Sequence, residues 1–387
     1  MARQLWLLAN RLRVALVSPY DHQMPGGVRE HVLNLDRQLR ALGHDTLIIA
    51  PASTATGLAE NVRCVSDRIV ALKISGSVAR ITLSLGVYPR IRRLLAAHQF
   101  DVIHLHEPLI PTVSLFALLT SRCATVGTIH GYRDTSPLYR FGRPVLDRLM
   151  RRLDSRTAVS SDALRWASRY FPGHYRIISD GVDVQRFSDR TLQPLDGLCD
   201  GRLNVLFVGR LEPRKGLGYL LDALKLIGSK VQNVRLIVAG AYSSADRRSW
   251  ESAARRSGDV VFFGPVSAEL LPRLYRSAHV FCAPSTGFEA LGIVLLEAMA
   301  SGLPIVTTDI EGYRTVVTHG AEGFLVPPRD PLALAEAISS LLVDPTRRRS
   351  MAAVGAATVQ RYDWSLLARR YIDVYAEAVE NFARRRP

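Results

Sequence analysis

The sequence predicts an α/β protein with two domains, each built around a parallel sheet. Short apolar runs alternate with stretches of helical period along most of the chain, which is typical of parallel strands joined by crossover helices. This alternation stops once, around residues 183–203, and then resumes, and 387 residues suffice for two ordinary domains. We expect a tail at 1–10, a first domain at 11–187, a linker at 188–203, a second domain at 204–362 and a last helix at 363–387.

The charge balance is the strongest compositional signal. Lysine and arginine number 50 against 35 aspartate and glutamate residues, a net charge of +15, so an anionic partner is expected. Nucleic acid, anionic lipid and a phosphorylated substrate are all compatible with this charge. The sequence contains neither zinc-finger spacing nor an aromatic-rich strand signature, so a membrane surface is favoured over nucleic acid.

Cysteine usage and the N-terminus bear on location. The four cysteines are far apart and form no Cys-x-x-Cys pair, which disfavours a zinc site or a disulfide framework and fits a reducing cytosol. The apolar run near the N-terminus is ended by Asn10 and Arg11, too early for a signal peptide or a membrane span. We therefore expect a cytoplasmic protein.

The first domain opens with a strand and a glycine loop. Leu12–Ser18 is an apolar run, the segment Pro25-Gly26-Gly27 follows, and Val28–Leu42 carries an apolar stripe of helical period before a strand at Thr46–Ala50. This order is the start of a Rossmann-like unit, in which a diphosphate can approach the backbone where the helix begins. The loop lacks the spaced third glycine of a dinucleotide fingerprint, so an NAD site is not predicted.

Histidines follow the next predicted strands. The strands at 102–105 and 125–129 end in His104-x-His106-Glu107-Pro108 and in His130-Gly131, and strand ends carry function in parallel sheets. The first group could hold a metal by composition. A structural or acceptor-side role is favoured on the expectation that His104 and His106 point to opposite faces of the sheet. His130 is expected to form hydrogen bonds at the sheet edge, and a histidine that only caps a loop is the alternative.

Two charged motifs mark the second domain. Arg210 and Lys215 follow a predicted strand at 204–208, where paired cations can clamp a diphosphate leaving group. Glu289 and Glu297 are eight residues apart around an apolar helical run. That spacing predicts two carboxylates on roughly one helix face, near N–H groups that bind anions. An amphipathic helix with two solvated glutamates is the alternative reading of the spacing alone.

Together these motifs resemble those of the family 4 retaining glycosyltransferases of the GT-B fold. The shared set comprises Gly26-Gly27, His130, Asp180-Gly181-Val182-Asp183, Gly209-Arg210 with Lys215-Gly216, and Glu289-x7-Glu297, spread over about residues 12–380. The resemblance implies two Rossmann-like domains facing each other across a cleft, with the last helix crossing back to the first domain. Segments such as Gly76-Ser77-Val78-Ala79-Arg80 are similar to the branch that transfers mannose from GDP-mannose to phosphatidylinositol.

The resemblance also implies roles on the donor side. The residues that would act in catalysis are His130, Arg210, Lys215 and Glu289. The residues that would bind the nucleotide sugar are Gly27, Arg210, Lys215, Ile293, Val294 and Glu297. Configuration at the transferred sugar would be retained. Neither a cofactor nor a metal is implied.

On the acceptor side, the implied inositol-binding residues are Tyr20, Asp21, Ser77 and Arg80. Arg29 and Ser75 stand where the phosphatidylinositol-directed branch has glutamine and asparagine. An added arginine there is also compatible with a phosphate or carboxylate on the acceptor.

A membrane surface is a hypothesis that depends on Val87–Gln99. This segment carries Arg90, Arg92 and Arg93 beside apolar residues, a pattern that can lie on anionic headgroups. An ordinary packed helix is the alternative. On the first reading we expect a peripheral protein at the inner face of the cell membrane.

Three classes of function are compatible with the sequence. The leading one is a hexosyltransferase that uses a sugar nucleotide and a phosphatidylinositol-type or other anionic lipid acceptor. The second is a transferase that uses a UDP-sugar or another sugar nucleotide and a soluble phosphorylated acceptor. The third, a non-catalytic binder of nucleotides or nucleic acid, is disfavoured because the charged residues of both second-domain motifs are intact.

Overall fold

The computed structural model describes residues 11–74, 77–131, 137–241, 244–287, 289 and 291–385. The chain forms two compact units, one that ends at Asp180 but also includes the chain from Trp364 onward, and one that comprises Gly181–Asp363. This boundary differs from the expected one at 187/188 because Val184 and Phe187 are buried in the core of the second unit, together with Leu198 of the expected linker. The expected tail at 1–10 lies outside the described residues.

A seven-stranded parallel sheet forms the centre of the first unit. The strands of this unit are β1 (Arg13–Val17), β2 (Asp45–Ala50), β3 (Val62–Cys64), β4 (Val70–Ile74), β5 (Ser77–Ile81), β6 (Val102–His106), β7 (Ala124–Ile129), β8 (Ser155–Ala158) and β9 (Arg176–Ile177). The sheet has the order β3-β2-β1-β6-β7-β8-β9, and β4 pairs with β5 in a separate antiparallel hairpin. Four of the five β1 residues are buried, as expected for an apolar run covered on both faces.

The second unit is built around a six-stranded parallel sheet. Its strands are β10 (Leu203–Val208), β11 (Val234–Ala239), β12 (Asp259–Gly264), β13 (Val280–Ala283), β14 (Ile305–Thr308) and β15 (Gly323–Val326). Their order is β12-β11-β10-β13-β14-β15. The α/β class with parallel sheets that the sequence predicts is thereby confirmed.

Helices connect these strands. In the first unit they are α1 (Gly27–Ala41), α2 (Val87–Ala97), α3 (Val113–Thr120), α4 (Pro137–Met150) and α5 (Ser161–Tyr170). In the second unit they are α6 (Val184–Ser188), α7 (Leu217–Gly228), α8 (Ser244–Arg255), α9 (Leu271–Arg276), α10 (Ile293–Ala300), α11 (Glu311–Arg314), α12 (Pro331–Val343) and α13 (Pro345–Thr358). The chain then continues into α14 (Trp364–Arg385).

The last helix, α14, packs on the sheet of the first unit. Its Trp364, Tyr371 and Tyr375 are at most 1% exposed and share a core with α1 and one face of that sheet. Helices α2 to α5 contribute to the core on the other face. Two separate segments of the chain therefore build the first unit.

Strand order reverses once in each sheet. The reversal lies between β1 and β6 in the first unit and between β10 and β13 in the second. At such a point the loops after the two neighbouring strands diverge to opposite faces and leave a crevice at the carboxyl edge, where ligands bind. The loops after these four strands are therefore the places where a site is expected.

Candidate active site

The loop after β10 is fixed against the loop after β13. Gly216 has a φ of 76°, and a Cβ atom there would lie 1.9 Å from the carbonyl oxygen of Pro284. Both the backbone conformation and the close approach therefore require glycine. In addition, the Thr286 N–H donates to the carbonyl oxygen of Arg214 at 2.8 Å. The two loops at the reversal point of the second sheet thus form one rigid edge.

Charged side chains are concentrated on these two loops. Glu289 Oε1 lies 2.6 Å from both Arg214 Nη1 and Lys215 Nζ. Glu212 pairs with Arg210 at 3.0 Å and with Arg214 at 2.9 Å. The side chains of Arg214, Lys215 and Glu289 are only 11–16% exposed, whereas that of Arg210 is 44% exposed. Three cations and two carboxylates therefore share this edge, and we refer to these five residues as the charged cluster.

The structure brings the predicted Arg210, Lys215 and Glu289 together through two residues that the sequence analysis does not single out. Arg214 bonds to Glu289 directly, and Glu212 joins Arg214 to Arg210. The signal available in the sequence is the run of opposite charges from residue 210 to residue 215. Such a run directly after a strand favours an internally neutralised loop.

The prediction that Glu289 and Glu297 lie on one helix face is wrong. Helix α10 begins at Ile293, and Gly292 before it has a φ of 84°, so the chain turns sharply and Glu289 stays outside the helix. Glu297 lies within α10 and accepts a hydrogen bond from Tyr275 Oη at 2.7 Å. Burial and then the Glu297 carboxylate raise the pKa of Tyr275 well above its usual range, so this phenol remains a donor.

The backbone of Ile293 and Val294 opens α10. The first N–H groups of a helix have no partner within the helix and attract anions. These two residues follow the loop that carries Glu289, so the predicted backbone donors lie at the same edge of the second sheet. Their contact with a donor diphosphate stays a prediction.

The expectation that His104 and His106 point to opposite faces is wrong. Their ring centroids are 4.3 Å apart, because residues two apart on a strand point to the same face. His104 is fully buried, with Nε2 bonded to Thr128 Oγ1 at 2.6 Å and Nδ1 bonded to Tyr375 Oη at 2.9 Å. Both ring nitrogens are engaged inside the core, which is a structural role.

His130 follows β7 at the carboxyl edge, with its side chain 7% exposed. Its Nε2 lies 2.9 Å from His106 Nδ1, and the N–H groups of His130 and Gly131 donate to Glu107 Oε1 at 2.8 and 2.6 Å. Burial, reinforced by the neighbouring His31, lowers the pKa of His130 to about 3. At pH 7 the ring is therefore neutral and acts as a hydrogen-bonding group.

His31 of α1 and Asp180 complete this group. Asp180 Oδ1 lies 2.6 Å from His31 Nδ1 and 3.9 Å from His130 Nδ1. Burial opposes ionisation of Asp180, but the hydrogen bond from His31 outweighs it and lowers the pKa of the carboxyl. His31 is not among the sequence-predicted residues, and its place three residues after Val28, on the apolar face of α1, is the signal that could have found it. We refer to His31, His106, His130 and Asp180 as the histidine cluster.

The expected acceptor residues meet after β1. Tyr20 forms a bridge to β5, the Asp21 N–H donates to the Arg80 carbonyl at 2.9 Å, and Arg80 Nε lies 3.2 Å from Asp21 Oδ2. Burial opposes ionisation of Asp21, yet backbone hydrogen bonds and the guanidinium outweigh it and lower its pKa. Ser77 begins β5, whereas Ser75 lies in a segment that the structure does not describe.

Gly27 and Arg29 lie in the first turn of α1. Arg29 Nε donates to the His22 carbonyl at 2.5 Å and Nη1 donates to Glu30 Oε1 at 2.6 Å. Its side chain is 27% exposed. Arg29 is therefore engaged by its own neighbours, which weakens the alternative in which it recognises an acceptor phosphate.

The predicted basic helix is α2, and it packs as an ordinary helix. The four apolar residues of its pattern contact the core of the first unit, namely Val87, Ile91, Leu94 and Leu95, because they face the sheet and not the surface. Arg90, Arg92 and Arg93 are exposed, and Arg90 Nη1 donates to the Val65 carbonyl at 3.1 Å. Within the part of the chain that is described, no helix is both long and apolar enough to cross a membrane.

Two Rossmann-like sheets, with a charged cluster at the reversal point of the second, form the arrangement expected of a glycosyltransferase of the GT-B class. Residues 25–186 match the model described as Glycosyltransferase Family 4, and residues 202–344 match the model described as Glycosyl transferases group 1. The phosphatidyl-myo-inositol mannosyltransferase of Mycobacterium leprae (strain TN) is 38% identical over 365 residues, which cover 94% of this chain and 96% of that protein. This chain therefore belongs to glycosyltransferase family 4 and is a hexosyltransferase.

Two further comparisons bear on the family and on the fold. A protein with the same name from Propionibacterium freudenreichii subsp. shermanii is 33% identical over 383 residues, which cover 96% of this chain and 97% of that protein. The solved structure of a glycosyltransferase from Rickettsia africae ESF-5 has a TM-score of 0.76 and covers 96% of this chain and 100% of its own, at 17% identity. The first comparison supports the family, and the second supports the fold. The family resemblance inferred from the motifs is confirmed.

Buried histidines predict how the stability of the chain depends on pH. Burial lowers the pKa values of His104, His106 and His130. Each ring is neutral in the folded chain but takes up a proton in the unfolded chain below about pH 6.5. The free energy of unfolding should therefore fall as the pH decreases below about 6.5. The slope is up to about 1.4 kcal/mol per pH unit for each histidine, and up to about 4 kcal/mol per pH unit for the three together.

Urea unfolding between about pH 7 and pH 5 measures this slope. His104→Gln removes one titrating ring and should reduce the slope by up to about 1.4 kcal/mol per pH unit, whatever its effect on stability at pH 7. His98→Gln changes an exposed histidine and should leave the slope unchanged. The same slope in the wild type and in His104→Gln would contradict the lowered pKa of this ring.

Proposed function

We propose that this chain transfers a mannose from GDP-mannose to the inositol ring of phosphatidylinositol, with the donor on the second unit and the acceptor on the first. The observation that carries this proposal is the contact of Glu289 with both Arg214 and Lys215 at the reversal point of the second sheet. The names of the relatives support the choice of acceptor and of mannose. The arrangement of Tyr20, Asp21 and Arg80 in the first unit supports an acceptor rich in hydroxyl groups.

On the donor side, the charged cluster receives the diphosphate. Arg210 offers a planar fork of donors and Lys215 a point charge. A diphosphate carries more negative charge than a carboxylate, so it competes with Glu289 for these cations. Its arrival releases Glu289 to accept hydrogen bonds from the hexose hydroxyls. Glu297, held by Tyr275, accepts hydrogen bonds from the ribose hydroxyls.

The proposed reaction retains the configuration of the anomeric carbon. The bond between this carbon and the diphosphate oxygen breaks, and the acceptor hydroxyl oxygen bonds to the carbon from the same face. The hydroxyl proton passes to the departing diphosphate oxygen, so no cofactor or metal takes part. Negative charge increases on the diphosphate in the transition state, where Arg210 and Lys215 stabilise it most. The neutral ring of His130 contributes a hydrogen bond to the hexose.

On the acceptor side, Arg80 and Tyr20 present hydrogen-bonding groups to the inositol ring. The Asp21 carboxylate is fully buried and lies 3.2 Å from Arg80 Nε, so it positions the guanidinium. Arg29 is engaged with His22 and Glu30 and therefore brings no uncommitted cation for a ring phosphate. This engagement favours an inositol ring whose single phosphate is the one that joins it to the lipid.

The test of this proposal is a transfer assay. Vesicles that contain phosphatidylinositol, incubated with the chain and GDP-mannose, should yield a lipid heavier by one hexose in the mass spectrum. Glu289→Gln should reduce turnover about 100-fold because it removes a charged group that contacts the transferred hexose. Glu269→Gln, an exposed carboxylate of the same unit, should leave turnover unchanged.

Two outcomes of this assay would contradict the assignment. Transfer from UDP-sugars but not from GDP-mannose would overturn the proposed donor. Transfer to inositol phosphate but not to the lipid would overturn the proposed acceptor and favour a soluble phosphorylated substrate. Both outcomes would leave the family and the charged cluster in place.

We further infer that the first unit contacts a membrane surface through the helix layer that contains α2. The most exposed large apolar side chains described in this unit are Phe141 (82%), Leu85 (77%) and Val145 (66%). Leu85 precedes α2, whereas Phe141 and Val145 lie on α4, and both helices pack on the same face of the sheet. Exposed apolar groups in the same helix layer as the exposed Arg92 and Arg93 suit the interface of an anionic bilayer.

This inference predicts a local effect of charge on vesicle binding. Replacing Arg92 and Arg93 by glutamine should weaken binding to anionic vesicles by about 10- to 30-fold, because each basic residue near such a surface contributes about 1 kcal/mol. Replacing the exposed Arg369 and Arg370 of α14 by glutamine removes the same charge and should have little effect. Co-sedimentation with anionic and neutral vesicles measures both variants. If both double variants lost the same amount of binding to anionic vesicles, a defined membrane face would be contradicted.

A further inference from the structure

The histidine cluster has a property that the transfer reaction does not use. Among the described residues, His31, His106 and His130 each offer a ligand atom to one small volume, and these atoms lie within 4.8 Å of one another. The three rings come from α1, from β6 and from the end of β7, so the fold brings them together. Three imidazoles are an established ligand set for Zn²⁺.

The hydrogen bonds of the cluster assign its protons. The Asp180 carboxylate lies 2.6 Å from His31 Nδ1, so His31 carries a proton on Nδ1, and Nε2 is the ring atom that it can offer to a metal ion. The same carboxylate is the charged neighbour of His130 Nδ1 at 3.9 Å, which favours a proton there. His130 Nε2 then accepts from His106 Nδ1 at 2.9 Å, and His106 is left with a lone pair on Nε2.

Both of these Nε2 atoms are buried without a hydrogen-bond partner in the described part of the chain. His31 Nε2 and His106 Nε2 find no hydrogen-bond partner among the described groups, and the two residues are 1% and 0% exposed. An unsatisfied buried donor or acceptor costs about 1–3 kcal/mol. A metal ion, which accepts electron pairs from imidazole nitrogens, would therefore stabilise the folded chain. His130, whose Nε2 lies 2.9 Å from His106 Nδ1, can supply a third nitrogen.

We propose that His31, His106 and His130 form an inhibitory site for a divalent transition-metal ion of the Zn²⁺ class. His31 and His106 bind through Nε2, and His130 binds after its hydrogen bond to His106 opens. Rotation of the rings closes their spacing to about 3.4 Å, the distance between ligands in a tetrahedral site with bonds of about 2.1 Å. Asp180 fixes the orientation of His31 and offsets part of the charge of the ion.

Occupancy of this site withdraws His130 from hydrogen bonding to the hexose. The bound ion is therefore an inhibitor, and a chelator should raise the transfer rate of metal-loaded chain. This consequence for activity rests on the proposed function. The binding of the ion does not, because it depends only on the histidines and on Asp180.

Equilibrium dialysis of the full chain against Zn²⁺, followed by metal analysis, measures binding without reference to activity. We expect about one ion per chain, as three histidines provide one tetrahedral site with an open position. His31→Gln and His106→Gln should each lower the affinity at least about 100-fold, and Asp180→Asn should lower it about 10- to 100-fold. His98→Gln, at an exposed position, should bind as the wild type does.

Co²⁺ provides a second probe that needs no variant. In the proposed site it is four-coordinate and absorbs strongly in the visible range, whereas Co²⁺ on surface carboxylates is six-coordinate and absorbs weakly. Absence of bound Zn²⁺ in the wild type, unchanged affinity in His31→Gln, or a six-coordinate Co²⁺ spectrum would each overturn the site. If the histidine variants fail to fold, the visible spectrum of Co²⁺ bound to the wild-type chain tests the site without them. Bound Zn²⁺ that leaves hexose transfer unchanged would overturn its inhibitory role, whereas a metal-free chain without transfer activity would contradict only the proposed function.

Discussion

The alignment of parallel strands is the constraint on which the functional part of this structure depends. All strands of such a sheet end at one edge, and the loops after two neighbouring strands separate where the strand order reverses. In the second unit this places the loop after β10 beside the loop after β13, and the charged cluster lies on these two loops. In the first unit it places the Tyr20–Asp21 segment and His130 at the carboxyl edge. Topology thereby sets the place in each unit where functional side chains can meet.

Burial of polar groups is the second constraint, and α14 satisfies part of it. The helix supplies Tyr375 as a partner of His104 and places Trp364 edge-on against His31, with ring centroids 4.8 Å apart. A buried imidazole with an unmade hydrogen bond is costly, so the first unit depends on a helix that the chain reaches only after the second unit is complete. This dependence explains why residues at both ends of the sequence build one core.

The sequence predicts the features that are encoded locally. Apolar runs identify β1 and β10, the stripe from Val28 identifies α1, and the position of Arg210 and Lys215 after a strand predicts an anion site. The pairing of Glu289 with Arg214 is not predictable in this way, because it depends on the left-handed conformation of Gly292, which ends the helical path. The histidine cluster is equally hidden, since His31 and Asp180 are 149 residues apart and neither lies in a recognised metal motif.

The local sequence pattern also fails to predict an element that is very short, or one whose apolar period suits two kinds of helix equally well. Strands β3 and β9 have three and two residues, too few for an alternation to be read. The apolar face of α2 matches a membrane-surface helix as well as a packed one, and only the burial of Val87 and Ile91 separates the two. The family resemblance supplies what these patterns lack, because it depends on several spaced motifs together.

The central claim is that the cations of the charged cluster act on the diphosphate as it departs. The most direct test measures kcat for hexose transfer and the Kd of GDP-mannose, without acceptor, in Lys215→Ala. We predict that kcat falls about 100-fold or more, whereas the Kd rises about 10-fold or less, because the charge on the diphosphate is greatest in the transition state. Lys225→Ala, which changes a lysine paired with Asp222 on α7, should alter neither value. A raised Kd with an unchanged kcat would show that Lys215 only binds the donor and would contradict this claim.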